Sequence, residues 1–203
     1  MNHLLILASK SPRRRQLLQQ LGYQFYCENA DIDESVLPLE NAEDYVQRVA
    51  ITKAKTVAGS LDKTVTGSLN QIVLAADTSV VVDGVILGKP LNFDDCQRML
   101  MLLSNRQHQV LTAIAAIQQN NLKTKLITTN VIFKALSNQE IRQYWQTGEP
   151  QDKAGSYGIQ GIAGQFVKSI QGSYSAVVGL PLYETVGILS EFGLQNTMNN
   201  SFK

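Results

Sequence analysis

The segment from Leu4 to Arg15, LLILASKSPRRR, carries the first clear signals of secondary structure. Its first five residues, Leu4–Ala8, are all apolar and predict a short buried strand. Ser11 and Pro12 then predict the start of a helix, because serine caps helix N-termini and proline suits the first turn. Gly22 predicts the end of that helix. We therefore interpret the N-terminal segment as a buried strand that leads into a helix.

The chain beyond this segment continues to alternate between strands and helices. We predict further strands near residues 23–27, 72–82, 85–87, 110–117, 122–133 and 166–170. We predict further helices at 41–58, closed by Gly59, at 92–103, at 137–146 and from Pro181. Asp83-Gly84 and Asn120-Asn121 predict tight turns between neighbouring strands. This pattern predicts an α/β fold with a mixed sheet, formed by one domain over residues 1–192. We expect a polar loop at 63–70 and a polar, frayed tail at 193–203.

The composition narrows the class of protein. The 203 residues include 18 basic and 17 acidic side chains, and 44% of the residues are hydrophobic. This balance excludes a disordered chain and a general binder of nucleic acid or anionic lipid. A polyanionic substrate must therefore be held by a few local charges. Apolar runs stay below the ~18 residues that a membrane helix needs, so we expect no membrane partner.

The cysteines and histidines match no metal-binding spacing. Cys27 and Cys96 lie far apart and predict reduced thiols in a cytoplasmic protein. The basic run follows the N-terminal apolar run, which is the reverse of the order in a signal peptide. His108 falls in a predicted strand and is interpreted as structural.

The basic run after the first strand is the first candidate for a binding site. With Ser11 as the cap, Arg13 and Arg14 fall in the first helical turn, where each opposes the helix dipole by ~0.3–1 kcal/mol. A phosphate reverses this sign, because it meets free backbone N–H groups and two guanidinium groups together. The alternative is a solvated basic run on the surface.

Two charged residues interrupt apolar patterns. Lys53 shares a helix face with Val46, Ala50 and Val57, so it must extend to solvent, pair or meet a ligand. Asp77 interrupts the apolar strand 72–82, where a carboxylate is costly unless it is paired or binds a metal. The alternative is that Asp77 marks the strand end and caps a turn.

An acidic segment and two glycine-containing segments complete the candidates. Asp31–Glu34 together with Asp77 could hold Mg²⁺ or Mn²⁺, which prefer oxygen ligands, although a solvated acidic loop is the alternative. Gly84–Pro90 resembles a P-loop but has the wrong spacing, so Lys89 would contact phosphate in another way. Tyr157 and Gln160 lie among glycines and could cover or read a base; the alternative is a turn-rich connection.

Taken in order, the motifs resemble the Maf-like nucleoside triphosphate pyrophosphatases. They are Ala8–Arg14 (ASKSPRR), Asp33-Glu34, Ala76–Thr78 (ADT), Gly88–Pro90 (GKP), Asp152–Gly155 (DKAG), Tyr157–Gly161 (YGIQG), Gly172–Tyr174 (GSY) and Val178–Pro181 (VGLP). Each motif is weak alone, but the ordered set is specific and spans residues 4 to about 192.

The resemblance implies a fold, an activity and a set of site residues. The fold is a two-lobed α/β structure with a long mixed sheet flanked by helices, similar to inosine triphosphatases. The activity is hydrolysis of nucleoside triphosphates to monophosphate and pyrophosphate with Mg²⁺ or Mn²⁺. The residues at the family's motif positions take their roles from this resemblance. Asp77 is the proton acceptor, and it binds the metal together with Glu34. Lys53 and Lys89 are catalytic, Ser9 and Arg14 bind phosphate, and the residues tied to substrate choice are Arg13, Thr78 and Gln160.

The resemblance also implies a mechanism and a branch of the family. Water attacks the α-phosphorus, and the metal lowers the pKa of that water so that a carboxylate with a pKa near ~4 can accept its proton. Arg13 and Thr78 match the dTTP/UTP branch, whereas a 7-methyl-GTP branch carries an aromatic residue and glutamine there. The alternatives are 7-methyl-GTP specificity and a nucleotide-binding regulator of cell division or septum formation. A homodimer is also implied.

Overall fold

A computed structural model describes residues 3–61 and 70–196. The strands are β1 (Leu4–Ala8), β2 (Phe25–Glu28), β3 (Gln71–Val82), β4 (Val85–Leu87), β5 (Gln107–Gln118), β6 (Asn121–Phe133) and β7 (Val167–Gln171). The helices are α1 (Pro12–Gln20), α2 (Ala42–Ser60), α3 (Phe93–Leu103), α4 (Asn138–Gln146), α5 (Tyr174–Val178) and α6 (Leu182–Ser190). Short 3₁₀ segments in the described part of the chain include Glu149–Asp152, Ala154–Ser156 and Ile162–Phe166. The predicted loop at 63–70 lies outside the described residues except for Asn70, and the predicted tail at 193–203 lies outside them beyond residue 196.

The strands form one mixed sheet. Its order is β2-β1-β3-β5-β6-β7, and β4 pairs with β3 beside this path. β2 and β3 both pair with β1 in parallel, whereas β4 and β7 pair antiparallel with β3 and β6. The prediction of an α/β fold with a mixed sheet is confirmed.

Capping residues start the helices where the sequence predicts. The side chains of Ser11, Asn41 and Asn92 each accept a hydrogen bond from the backbone N–H three residues later. Ser137 forms a reciprocal capping box at the start of α4. Helix ends are less predictable: α2 continues to Ser60, so the predicted termination at Gly59 is wrong. Glycine weakens a helix interior by only ~1 kcal/mol, and packing of the long apolar face of α2 outweighs it.

The turns between strands follow local chemistry. Asp83 and Gly84 have φ values of 51° and 77°, as the type I′ turn between β3 and β4 requires, so the predicted hairpin is confirmed. The turn between β5 and β6 lies at residues 119–120, one residue earlier than predicted, with Gln119 at a φ of 54°. The five-residue helix α5 was not predicted because it is too short for a periodic pattern.

The described residues divide into two compact units. The first contains the residues up to Asp77, Thr112–Leu126 and the residues from Gly179; the second contains Thr78–Leu111 and Ile127–Val178. The core of the first unit includes Leu5, Leu7, Leu18, Ile72 and Leu74, all fully buried. The core of the second unit includes Leu100, Leu103, Phe133 and Phe166. Among the described residues, no helix combines the length and apolar character required to cross a membrane.

Candidate active site

Three parallel strands of the first unit direct their carboxyl ends to one edge of the sheet. The register pairs Leu7 of β1 with Leu74 of β3 and Ala8 of β1 with Glu28 of β2. In open α/β sheets, ligands bind in the crevice outside the carboxyl ends of the strands. In the first unit, this edge is formed by the segment that begins at Ser9, the loop at residues 29–41 and Asp77.

The segment after β1 forms the N-terminus of α1. The hydroxyl oxygen of Ser9 accepts hydrogen bonds from the backbone N–H of Ser11 (3.2 Å) and from Nη1 of Arg14 (3.5 Å). Nε of Arg14 also donates to the carbonyl oxygen of Gly179 at 2.9 Å, so this guanidinium is fixed from two sides. Arg13 is half-buried in the same turn. The predicted cap and the placement of both arginines in the first turn are confirmed.

The Arg14 guanidinium is a desolvated positive charge. Burial lowers the pKa of Arg14, and Arg13 lowers it further, whereas the carboxylates of Asp77 and Glu34 raise it. Arginine stays protonated over the working pH range. The charge therefore persists despite its burial, and an incoming anion at the helix N-terminus would stabilise it.

Lys53 joins two carboxylates of the first unit. Its Nζ lies 2.9 Å from Oδ1 of Asp77 and 2.9 Å from Oε1 of Glu34. Lys53 and Asp77 are only 8% and 6% exposed, whereas the side chain of Glu34 is 51% exposed. The charged residue in the apolar stripe of α2 is thus paired. Asp77 does not end its strand, because β3 continues to Val82, so the alternative of a turn cap is wrong.

The environment of Asp77 raises the pKa of its carboxyl group above the ordinary value. Burial raises the pKa of its carboxyl group, Lys53 and Arg14 oppose that rise, and Glu34 adds to it. The pKa is therefore higher than the ordinary value of ~4 that we expected from the sequence. A raised pKa lies closer to the pKa of an efficient general base at neutral pH.

The donor set fits a hard divalent cation. The oxygens of Glu34 and Asp77 contact the same ammonium nitrogen, so they lie within two hydrogen-bond lengths of each other. Within residues 3–61 and 70–196 there is no group of three or more His, Cys, Asp and Glu side chains placed to hold a metal. Two carboxylates suffice for Mg²⁺, which usually binds one or two of them together with substrate phosphates and water.

Tyr45 and Arg48 of α2 contact the loop that carries Glu34, and sequence reasoning missed both. The hydroxyl of Tyr45 donates to the backbone carbonyl of Glu34 at 2.9 Å, and Arg48 pairs with Glu40. The available signal was their position on the helix that also carries Lys53. Nothing in the sequence shows which loop such side chains meet.

The other predicted site residues belong to the second unit. Thr78 follows Asp77 directly on β3 and is half-buried. Lys89 is exposed after β4, beside a backbone hydrogen bond of 2.9 Å from the N–H of Gly155 to the carbonyl of Gly88. Gln160 is exposed and precedes the 3₁₀ segment Ile162–Phe166.

Tyr157 is a core residue, which corrects the prediction that it could cover a base. It is 5% exposed, and its ring packs edge-on against Phe133 with centroids 4.8 Å apart. Its hydroxyl lies 2.8 Å from Nε2 of His108, which is itself buried in β5. The structural interpretation of His108 is thereby confirmed. An aromatic ring between glycines is expected to be accessible from the sequence, but contacts with His108 and Phe133 bury this ring.

Among solved structures, the similarity to this chain that we describe is weak. The Staphylococcus aureus Ham1 protein aligns with a TM-score of 0.45 and 16% identity, covering 64% of this chain and 71% of that chain. A likeness of this degree carries no argument about the fold, which the strand order establishes directly.

Much stronger similarity exists in sequence. The dTTP/UTP pyrophosphatase of Colwellia psychrerythraea is 58% identical over 195 residues, covering 96% of this chain and 91% of the relative. The dTTP/UTP pyrophosphatase of Hahella chejuensis is 51% identical over 191 residues, covering 94% and 93%. The family described as Maf-like protein matches residues 4–192. With this match over nearly its whole length, the chain belongs to the Maf-like protein family.

Proposed function

We propose that this chain hydrolyses nucleoside triphosphates, including dTTP, UTP and modified pyrimidine nucleotides, to a nucleoside monophosphate and pyrophosphate. The observation that carries the proposal is the Lys53–Asp77–Glu34 cluster, at the same sheet edge as the arginine-bearing N-terminus of α1. That edge combines a buried proton acceptor with a phosphate-binding helix end. The names of the Colwellia and Hahella relatives support the choice of substrate.

In the proposed step, a water oxygen forms a bond to the α-phosphorus. The bond from that phosphorus to the oxygen bridging to the β-phosphate breaks, and pyrophosphate leaves with the bonding electrons. Asp77 accepts the proton of the water. Before this transfer, the ammonium group of Lys53 keeps the carboxylate of Asp77 ionised. Bound Mg²⁺ or Mn²⁺, held by Glu34 and Asp77, would lower the pKa of the water and offset phosphate charge.

The remaining roles rest on the motif positions that this chain shares with the family. Ser9 and Arg14 bind phosphate oxygens in this proposal, and Lys89 contributes a further cation. Arg13, Thr78 and Gln160 select the nucleotide. Lys53 and Lys89 offset the charge that develops on the leaving pyrophosphate.

A substrate panel tests the activity. Pyrophosphate release is measured with Mg²⁺ or Mn²⁺ for the common ribo- and deoxyribonucleoside triphosphates, modified pyrimidine triphosphates and 7-methyl-GTP. We expect dTTP and UTP to be turned over fastest. Preference for 7-methyl-GTP would overturn the substrate assignment, and absence of pyrophosphate release from every nucleotide would overturn the enzymatic assignment.

An asparagine substitution tests the proton acceptor. Asp77→Asn should lower kcat by about 10²–10⁴-fold, the usual contribution of a general base, while circular dichroism stays native. The matched control is Asp83→Asn, which removes an exposed carboxylate paired with Arg106 and should keep normal turnover. Near-normal activity of Asp77→Asn would contradict the assignment.

Location and assembly complete the proposal. We place the reaction in the cytoplasm, in keeping with the free thiols of Cys27 and Cys96 in the described part of the chain, since reducing compartments preserve thiols. The homodimer that the family resemblance implies stays a prediction, which the mass of the protein in solution would test.

A further inference from the structure

We propose that Tyr45 and Arg48 of α2 are positioning residues that hold the carboxylate of Glu34 where it shares a divalent cation with Asp77. This inference rests on the proposed metal-dependent hydrolysis and concerns how the first unit builds its metal site. It assigns a role to two side chains that do not themselves belong to the set of proposed ligands.

Glu34 needs such support because its own segment supplies little. Residues 29–41 contain neither helix nor strand, and the side chain of Glu34 is half exposed. A metal ligand on an irregular loop is placed only as precisely as the loop is anchored. Asp77, by contrast, is held within the hydrogen-bonded strand β3.

Tyr45 and Arg48, the two anchors of this loop, contact the backbone carbonyls of Glu34 and of the next residue, Ser35. The hydroxyl of Tyr45 donates to the carbonyl oxygen of Glu34 at 2.9 Å, and Nη2 of Arg48 donates to that of Ser35 at 2.9 Å. Burial, with smaller contributions from Asp77 and Glu34, raises the pKa of Tyr45 to about 12, so its hydroxyl remains a donor at neutral pH.

Arg48 also fixes the far end of the loop. Its Nε and Nη2 donate to the two carboxylate oxygens of Glu40 at 2.5 and 2.8 Å, which is the bidentate geometry of a strong ion pair. Glu40 in turn accepts a hydrogen bond from the backbone N–H of Leu37 at 3.0 Å. The guanidinium lies 5.6 Å from the centroid of the Tyr45 ring, so the two anchors support each other.

The spacing along α2 explains why one helix can place Glu34 completely. Tyr45 and Lys53 are two turns apart on one helix face, and Arg48 lies beside that face. Tyr45 and Arg48 hold the loop backbone, while Nζ of Lys53 contacts the Glu34 carboxylate and Asp77 at once. Backbone and side chain of Glu34 are therefore both positioned from α2.

The test uses Tyr45→Phe, Arg48→Gln and a matched control. Tyr45→Phe removes one hydroxyl and keeps the ring. Arg48→Gln removes the guanidinium group and its bidentate contact with Glu40. The control is Arg98→Gln, because Arg98 of α3 donates through Nε (3.0 Å) and Nη2 (2.7 Å) to Asp95 at an exposed position. Each is made in the full chain, and thermal unfolding confirms that it folds.

Two readouts separate positioning from general stability. In metal-free protein, hydrogen exchange at the backbone amides of Ser35, Leu37 and Glu40 should accelerate in both variants but not in the control. The Mg²⁺ concentration for half-maximal pyrophosphate release at saturating dTTP should rise about two- to tenfold in Tyr45→Phe, the span of one hydrogen bond. It should rise by about tenfold or more in Arg48→Gln. Arg48→Lys keeps the positive charge but loses the bidentate guanidinium. Its half-saturating Mg²⁺ concentration should lie between those of wild type and Arg48→Gln.

The outcomes are distinct. An unchanged half-saturating Mg²⁺ concentration in both Tyr45→Phe and Arg48→Gln overturns the inference, even if kcat or thermal stability falls, because the residues would then serve the fold alone. An equal rise in Arg98→Gln also overturns it. Failure of the proposed function shows earlier and separately, as a wild-type chain that releases no pyrophosphate or does so without a metal.

Discussion

Removing the ammonium group of Lys53 is the sharpest perturbation of the site. Lys53→Met keeps most of the side-chain volume and leaves Asp77 without the charge that lies 2.9 Å from its Oδ1. Both partners are almost fully buried, so water cannot replace the lost interaction. We expect a large loss of stability at neutral pH.

The magnitude follows from the geometry. At 2.9 Å and an effective dielectric constant of about 20, the attraction between Lys53 and Asp77 amounts to ~6 kcal/mol. The variant also recovers the cost of burying the ammonium group, so the net loss is smaller, ~3–5 kcal/mol. That is a large share of the ~5–15 kcal/mol by which most domains are stable.

The loss should depend on pH in a defined direction. Without Lys53, the pKa of Asp77 rises further above its unfolded value, so the folded chain binds a proton that the unfolded chain releases. Stability then falls as pH rises through this window. The deficit of Lys53→Met relative to wild type should therefore be smallest near pH 4 and largest near pH 7.

Equilibrium urea unfolding in metal-free buffer measures this effect. Lys53→Met/Asp77→Asn should regain most of the stability that Lys53→Met loses, because the neutral amide needs no counter-charge. Arg106→Met, which breaks an exposed pair with Asp83, should cost less than ~1 kcal/mol. The reasoning would be refuted if Lys53→Met were as stable as wild type at pH 7. It would also be refuted if the variant lost the same free energy of unfolding at pH 4 and at pH 7.

Two further predictions concern the second unit. Burial lowers the pKa of His108 from 6.5 to about 4. As the pH drops, the unfolded chain therefore binds a proton at this histidine before the folded chain does. The free energy of unfolding should fall by about 3 kcal/mol between pH 6.5 and pH 4 because of this difference. His108→Gln should lack this part of the acid sensitivity in chemical unfolding; an identical pH profile would contradict it. Gly155 has a φ of +64°, and a Cβ there would lie 2.8 Å from Val80 Cγ1, so Gly155→Ala should cost about 1–3 kcal/mol. Gly84→Ala, at a φ of +77° but in open space, measures the backbone strain alone, and equal losses would show that the Val80 contact is harmless.

The elements predicted well from sequence depend on near neighbours in the chain. Ser11 caps α1 through a residue three positions away, and Asp83-Gly84 forms its turn within two residues. The end of α2 and the short helix α5 were not predictable in this way. Their limits depend on packing, which overrides the weak preference of a single glycine or of five residues.

The candidate site was only half visible in the sequence. Lys53 and Asp77 each stood out because a charge interrupted an apolar pattern, but their pairing joins positions 24 residues apart. Tyr45 and Arg48 gave no comparable signal, since a tyrosine and an arginine are ordinary on a helix surface. Tyr157 was misinterpreted because its partners, His108 and Phe133, are distant in the chain.

The sequence alone predicts an α/β chain and singles out a few charges in unusual places, among them Lys53 within an apolar helix face and Asp77 within an apolar strand. Periodicity, capping and turn preferences act over a few residues, so they can be read directly. The folded chain reveals which charges meet, that burial raises the pKa of Asp77, and that Tyr45 of α2 contacts the loop of Glu34. Those outcomes depend on strand order and helix docking, which bring distant residues within hydrogen-bond distance and remove the water that would otherwise screen them.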